Sequence, residues 1–495
     1  MRTKIRIIII MLVLTSCSDF LEILPETNIT QENFYQTESD FLQAITGAYA
    51  PLQTLYNQDW QMTEFRSDNA HFVLNLGNRG NQPREDLGTF TVETNNEIVL
   101  NKWLNNYLII SRSNFIIQSI DNADFNGQSK TSIKGEAYFL RAFAYFDLLK
   151  NFGGVPLFIE PPTSFSETFK NRSGSSEILD LILSDINTSI PLLPGKNNQV
   201  PGRATVSAAY MLLADVLMSQ KRWSEAESAL RNVLNAGYNL LPVYDEIFKP
   251  SNEGNSEIIF EIYFVEGTSQ PLFSTFPYQF LPELDDPAII TGVSPAARNG
   301  GGSFNIPVPE LLDLYEDNDS RYEATIAFFS GPSPLPGVIY DNLPYIKKYQ
   351  HPHAIPNQTG QNWIVYRYAE TLLNLAECLF EQGNSNEALS LVNQIRTRAG
   401  LQELNSLDKN TLLNERRIEL AFENKRWQDL VRSGIAVEVM NQFGERIKAN
   451  PQDYFYPEGS GPLPNMFNVS QDYLLYPIPA SEIILNPNLT QNPGY

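Results

Sequence analysis

Histidine and cysteine are scarce in this chain: 495 residues contain three histidines and two cysteines. A zinc site needs three or four imidazole or thiolate ligands. His71 stands alone, and His351 and His353 flank a proline with no cysteine nearby, so no metal is expected. Asp317-Asn318-Asp319 opens like a calcium loop, but neither a glycine at the sixth position nor a glutamate at the twelfth follows. Asp319 and Arg321 are expected to make a structural turn instead. There is no G-x-S-x-G nucleophile elbow. Gly300-Gly301-Gly302 follows no strand pattern and opens no helix, which argues against a phosphate cradle. No cofactor and no catalytic role are expected, although no pattern among the 57 acidic residues excludes a glycosidase pair. Positive charge is also short. Only 35 residues are Lys or Arg, the formal charge is −22, and that field repels nucleic acid.

Long apolar runs are absent after the first residues, so no membrane-spanning helix is expected beyond them. The N-terminus is different. Arg2, Lys4 and Arg6 precede the apolar run Ile7–Leu14, and Thr15-Ser16-Cys17 follows. The run is too short to span a bilayer and has the length of a secretory signal. A cysteine behind small polar residues resembles a bacterial lipobox. Residues 1–16 are therefore expected to be a lipoprotein signal peptide, with Cys17 acylated as the mature first residue. Their removal takes away three basic residues and no acidic ones, and moves the formal charge from −22 to −25. With Cys17 lipidated, Cys378 has no disulfide partner; its apolar helical setting marks it as a buried inert thiol.

The remaining chain, 42% hydrophobic, is rich enough for a large core. It reads as mainly α-helical from about Thr30 to Ser433. Its clearest internal signal is a repeat: Tyr210, Leu213, Ala214, Leu217, Ala226, Leu230 and Val233 recur 162 residues later as Leu372, Leu375, Ala376, Leu379, Ala388, Val392 and Ile395. Small residues at the middle of each helix allow two antiparallel helices to approach closely. The spacing matches tetratricopeptide-like helical hairpins, which stack into an α-solenoid. Further pairs are expected from Lys134–Lys150 with Ser175–Pro191 and from Glu38–Leu55 with Leu104–Ile120. Glu415–Leu430 reads as one salt-bridged helix, with Arg416, Glu419, Glu423 and Arg426 along one face and Leu420, Trp427 and Leu430 inward.

Several motifs resemble the SusD/RagB family of Bacteroidota outer-membrane lipoproteins. They are Cys17-Ser18-Asp19-Phe20-Leu21-Glu22, Leu140–Leu148 leading into Phe152-Gly153-Gly154-Val155-Pro156-Leu157, and Arg367-Tyr368-Ala369-Glu370. Asn393-Gln394-Ile395-Arg396, Arg398-Ala399-Gly400-Leu401, the charged stretch Glu415–Asp429 and the ending from Tyr476-Pro477-Ile478-Pro479 to Tyr495 complete the set. The resemblance implies four tetratricopeptide units, long irregular loops and a few short strands, as one domain over residues 17–495 with ligand loops at about 68–101 and 242–356. It implies a non-catalytic, lipid-anchored protein at the outer-membrane surface. Such a protein captures an oligosaccharide or polysaccharide and delivers it to a SusC-like TonB-dependent transporter. The alternatives are peptide capture, as in the RagB branch, and a scaffold that only docks proteins.

Sugars need flat aromatic faces and polar side chains for their hydroxyls. The first loop supplies His71 and Phe72 beside Asn69, Asn75, Asn78 and Arg79; the second supplies Phe273, Phe276, Tyr278 and Phe280, with Phe304, Tyr340 and Tyr345 further on. Trp60 and Trp363 flank the loops as secondary candidates. Neither loop contains a tryptophan. The expectation is one exposed aromatic face, on which alanine at His71, Phe276 or Tyr278 weakens binding with little loss of melting temperature.

Overall fold

Amphipathic helices with small residues on their inner faces pack against one another along this chain, and the helical hairpins follow from that. A computed structural model describes residues 35–77, 79–125, 127–267, 269, 272–294, 298–299, 302–334 and 339–495. The expected signal peptide (residues 1–16), Cys17 and Asn78 lie outside the described residues. Helix α1 (Glu38–Gln58) opens with a capping box between Thr37 and Asp40, and α2 (Gln82–Thr89) is short. Then come α3 (Glu97–Ser119), α4 (Gln128–Phe152), α5 (Ser175–Ser189), α6 (Val206–Ser219) and α7 (Trp223–Leu234). After a long insertion the helices resume with α8 (Tyr368–Glu381), α9 (Ser385–Arg398), α10 (Lys409–Glu419), α11 (Arg426–Ser433) and α12 (Ala436–Ala449).

The expected pairs form: α1 packs on α3, α4 on α5, α6 on α7 and α8 on α9, and α7 meets α8 across the insertion. Ala214, Ala226, Ala376 and Ala388 are fully buried at these contacts. Ala376→Leu should therefore overpack the α8 seam and destabilise by about 1–3 kcal/mol, measured by chemical denaturation. Gly153 and Gly154 end α4 for separate reasons. Gly153 sits at φ 70°, which favours glycine, and a Cβ on Gly154 would lie 2.5 Å from the Ser173 carbonyl oxygen. Cys378 is fully buried, and desolvation pushes its thiol up to about 12, well away from a reactive thiolate.

The strands are short and antiparallel: β1 (Ala70–His71), β2 (Ile258–Ile262), β3 (Ile306–Pro307), β4 (Ile326–Pro332), β5 (Ile339–Ile346) and β6 (Trp363–Arg367). β1 pairs with β3, β2 with β6, and β4 with β5. Each pair ties loop to loop or loop to scaffold. Among the described residues no helix is long and apolar enough to cross a membrane.

One expectation is corrected here. Glu415–Leu430 is not a single helix: α10 stops at Glu419 and α11 starts at Arg426. Phe422 and Asn424 take φ of 65° and 63° between them. Tertiary donors occupy the carbonyls that a continuing helix would use. Arg367 and Tyr244 donate to the Glu419 carbonyl at 2.6 and 2.8 Å, Lys348 to that of Ala421 at 2.8 Å, and Tyr349 to that of Phe422 at 2.9 Å. Leu420, Trp427 and Leu430 do pack inward.

The charges of this stretch are buried rather than solvated. Glu419 receives Arg367 at 2.6 Å, Arg321 at 3.1 Å and Arg398. Arg367 also holds Glu257 at 2.8 Å and Glu423 at 2.7 Å, and Lys348 reaches Glu423 at 2.7 Å. Arg321 is clasped by Asp319, which N-caps its short helix, and by Glu415 at 2.6 Å. Asp319 and Arg321 do form the expected turn, but its guanidinium is spent inside the network. The network joins the insertion to α9 and α10 and so fixes the loops on the helical scaffold.

Candidate functional site

The aromatic residues of the two loops turn inward, and this overturns the expectation of an exposed ring face. Trp60, Phe72, Phe276, Phe304 and Trp363 are buried, as are Phe273, Tyr278 and Tyr345. Trp60 meets Phe280 edge-on at 5.2 Å, Phe276 meets Trp363 at 4.9 Å, and Phe72 stacks near Phe304 at 6.2 Å. Loops of this length must build their own core, and aromatic rings remove the most area per residue. Phe273 is tied down through its carbonyl, which accepts from Asn57 at 3.0 Å. Tyr345 packs on Tyr278 and Leu281. Tyr278 and His353 share a hydrogen bond of 2.8 Å through His353 Nε2, and His353 Nδ1 lies 2.8 Å from the His351 carbonyl.

His71 is also enclosed. Its ring lies 4.4 Å from that of Phe72 and 5.5 Å from that of Tyr456, and among the described residues its Nε2 has no partner. Burial alone pushes its pKa down to about 3. The folded ring thus binds fewer protons than the unfolded one, whose pKa is near 6.5. Stability from this group is full above pH 6.5 and is lost as pH falls towards 3. His71→Phe should remove a penalty on the order of 2 kcal/mol at pH 5 and leave pH 8 nearly unchanged. Denaturation curves at the two pH values check this.

Asn75 is buried and donates to Glu283 at 3.2 Å, and Arg298 reaches the same carboxylate at 2.7 Å. Arg79 starts a single 3-10 turn, Arg79–Asn81. Asp68 anchors the base of the first loop: burial opposes its charge, but Arg417 and Arg426 outweigh it and hold the carboxyl at about 2. Arg426 approaches it at 2.8 Å.

Above these anchors lies a cleft of about 280 Å³, lined by Val73, Leu74, Tyr340, Asp341, Asn342, Gln452, Phe455 and Tyr456. It combines the partly exposed ring of Phe455 with exposed amide and carboxylate groups on Asn342, Gln452 and Asp341, while Tyr340 and Tyr456 are buried in its walls. Leu76 and Ile339, 62% and 75% exposed, stand on the same loops. The backbone here is strained: Ser303, Asn305, Asn342 and Phe455 all take φ between 53° and 67°. Among the described residues Asn305 has neither side-chain atom partnered although it is fully buried, and the Tyr456 hydroxyl has no partner either. Such costs, about 1–3 kcal/mol for each unsatisfied group, concentrate where a surface is kept for function. Of these residues, only Tyr340 stood out in the sequence. Asn342 lies within β5, and Gln452–Tyr456 belongs to a C-terminal stretch with no ligand signal of its own. The Pro451…Phe455-Tyr456-Pro457 run of rings and prolines was the available hint.

Two larger cavities differ in character. One of about 520 Å³ opens among α4, α6, α8 and α11, but many of its charges are committed to neighbours. Asp147 pairs with Lys102 at 2.7 Å, Glu370 with Lys425 at 2.7 Å, and Asp215 accepts from Tyr366 at 3.1 Å. The other, about 440 Å³, lies along α3 and is largely apolar.

Comparison with known proteins decides the family. A SusD-like protein of Formosa agariphila is 30% identical over 99% of each chain. The chain belongs to the SusD family. Residues 340–495 match the SusD family directly, and residues 19–218 match a family described as starch-binding and associating with the outer membrane. Among solved structures, the SusD-like fold is shared with a surface glycan-binding protein A from Bacteroides fluxus: 26% identity, 93% of this chain, all of that one, TM-score 0.77. The corresponding protein from Bacteroides thetaiotaomicron, solved with laminarihexaose, superposes with TM-score 0.75 at 24% identity, over 92% of this chain and 99% of that one.

Proposed function

We propose that this SusD-family protein is a non-catalytic glycan-binding lipoprotein. In this reading a single domain, residues 17–495, is anchored through Cys17 at the cell surface and passes oligosaccharide to a SusC-like TonB-dependent transporter. The observation that carries the glycan reading is the cleft at Asn342, Gln452 and Phe455, where the partly exposed Phe455 ring and exposed amides meet on a strained face. The names of the relatives support the same ligand class. Sugar hydroxyls need such amides, and C–H faces need such rings. The buried candidates His71, Phe276, Tyr278, Trp60 and Trp363 act in this reading by holding the loops, while Asn75 and Glu283 brace the cleft from below.

Binding is expected at roughly micromolar affinity, since a shallow site recovers little after desolvating hydroxyls. Calorimetry against neutral glucans, mannans, fructans and xylans tests it. Gln452→Ala should weaken the best ligand by about tenfold, the equivalent of roughly 1.4 kcal/mol, without altering the denaturation midpoint, because Gln452 is exposed. No heat with any glycan but clear heat with peptides would transfer the reading to peptide capture.

A further inference from the structure

The groove along α3 has a built shape and no assigned occupant. Its floor is Trp103, Tyr107 and Ile110, and its walls include Pro156, Phe158, Phe165 and Leu485. Phe165 is 80% exposed and Leu485 69%. The polar groups of the walls are already used. Trp103 Nε1 donates to Glu482 at 3.2 Å, the Tyr107 hydroxyl to the Pro156 carbonyl at 2.9 Å, and Asn114 Nδ2 to the Phe158 carbonyl at 2.8 Å. A sugar would find few free donors or acceptors here; an apolar chain segment would find a matching surface.

The groove is continuous with the point where the chain enters the described structure. Leu104 and Leu108 are exposed on α3, and with Phe115 they form a stripe at helical spacing. The Tyr35 ring stacks against Phe115 at 6.4 Å between centroids. From Phe115 to Trp103 the helix rises about 18 Å. The eleven residues from Leu24 to Tyr35 can span roughly 36 Å when extended, so the preceding segment reaches the groove with slack. That segment is Phe20-Leu21-Glu22-Ile23-Leu24-Pro25, four large apolar side chains in six residues. Pro25 biases Leu24 to an extended backbone, the form that fits a groove. Lys170 lies over the Phe158 ring, 4.9 Å from its centroid, and donates to the Leu157 carbonyl at 2.8 Å, so a positive charge stands beside the groove.

We propose that residues 20–25 of this same chain dock in the α3 groove. Docking covers the apolar stripe and shortens the free tether to the two residues between Cys17 and Phe20, about 10 Å from Cys17 to Phe20. Where Cys17 carries lipid, as in the function proposed above, the α3 face is thereby held towards the membrane. Docking itself does not depend on the lipid.

Disulfide trapping tests this on the full mature chain in a Cys17→Ser background, with Cys378 buried and inert. Ile23→Cys combined with Leu104→Cys should form an intramolecular disulfide at least tenfold faster than Ile23→Cys combined with Asn386→Cys, an exposed position in the α8–α9 hairpin. Equal rates in the two pairs would overturn the proposal, as would disulfides formed only between two copies. A dye test separates the remaining occupant. Wild type should bind anilinonaphthalene sulfonate weakly, and Phe20→Asp with Leu24→Asp should raise its fluorescence severalfold. Strong dye binding by wild type, abolished by Leu104→Asp, would mean that the groove is open for another protein and would also overturn it. Neither readout depends on glycan binding, so failure here is distinguishable from failure of the proposed function.

Discussion

Glu419→Ala is expected to lower the unfolding free energy by about 3–5 kcal/mol, because it leaves buried cations without their counter-charge. Glu419 is fully buried and is shared by Arg321, Arg367 and Arg398. Burial opposes its charge, yet Arg398, Arg367 and Arg321 together hold its carboxyl far below the usual range. Glu419→Gln should cost less, since an amide oxygen still accepts from one guanidinium. The same geometry sets the pH dependence. A carboxyl with a depressed native pKa supports the fold fully above its unfolded pKa and withdraws that support as pH falls. The stability gap between wild type and Glu419→Ala should therefore be full at pH 7 and shrink below about pH 4.5. Urea denaturation at pH 7 and pH 4 measures it; a gap that is small at pH 7 would mean that the network is replaceable.

Phe276→Ala is expected to cost a similar amount, about 3–5 kcal/mol, through the cavity it leaves. Its ring is fully buried against Trp363 at 4.9 Å, Tyr349 at 5.3 Å and Phe280 at 5.8 Å. These partners come from three parts of the insertion between α7 and α8: Phe280 from beside the ring itself, Tyr349 from the segment after β5, and Trp363 from β6. The ring therefore holds separate parts of the insertion together. The paired control is Ile339→Ala, 75% exposed, which should stay within about 0.5 kcal/mol of wild type. Any loss of glycan binding in Phe276→Ala should track the loss of fold. A variant that binds poorly yet unfolds at the wild-type midpoint would restore Phe276 to the binding surface.

Aromatic loop composition was the misleading signal. A ring in a Pro- and Gly-rich stretch is equally suited to stacking on a sugar and to packing on its neighbours, and composition does not separate the two. His71, Phe72, Phe276 and Tyr278 all went to packing. The cleft residues Asn342 and Gln452 are ordinary surface amides in the sequence. They are distinguished only by which loops bring them to Tyr340 and Phe455.

The sequence by itself determined the helical hairpins, since their information is local. Ala214 and Ala376, one helical turn from their apolar neighbours, specify close-packed pairs wherever the chain places them, and Gly153 and Gly154 specify how α4 ends. Family membership was legible for the same reason, because its motifs lie in the scaffold. Only the tertiary structure decided the break between α10 and α11 and the inward turn of the loop rings. Residues 415–430 have the period of one helix, and nothing local stops it. Arg367, Lys348 and Tyr349, remote in sequence, take the carbonyls that the helix would have used. A competition between local and long-range hydrogen bonds is settled by the fold, and the candidate site, built from loops held by that fold, is settled with it.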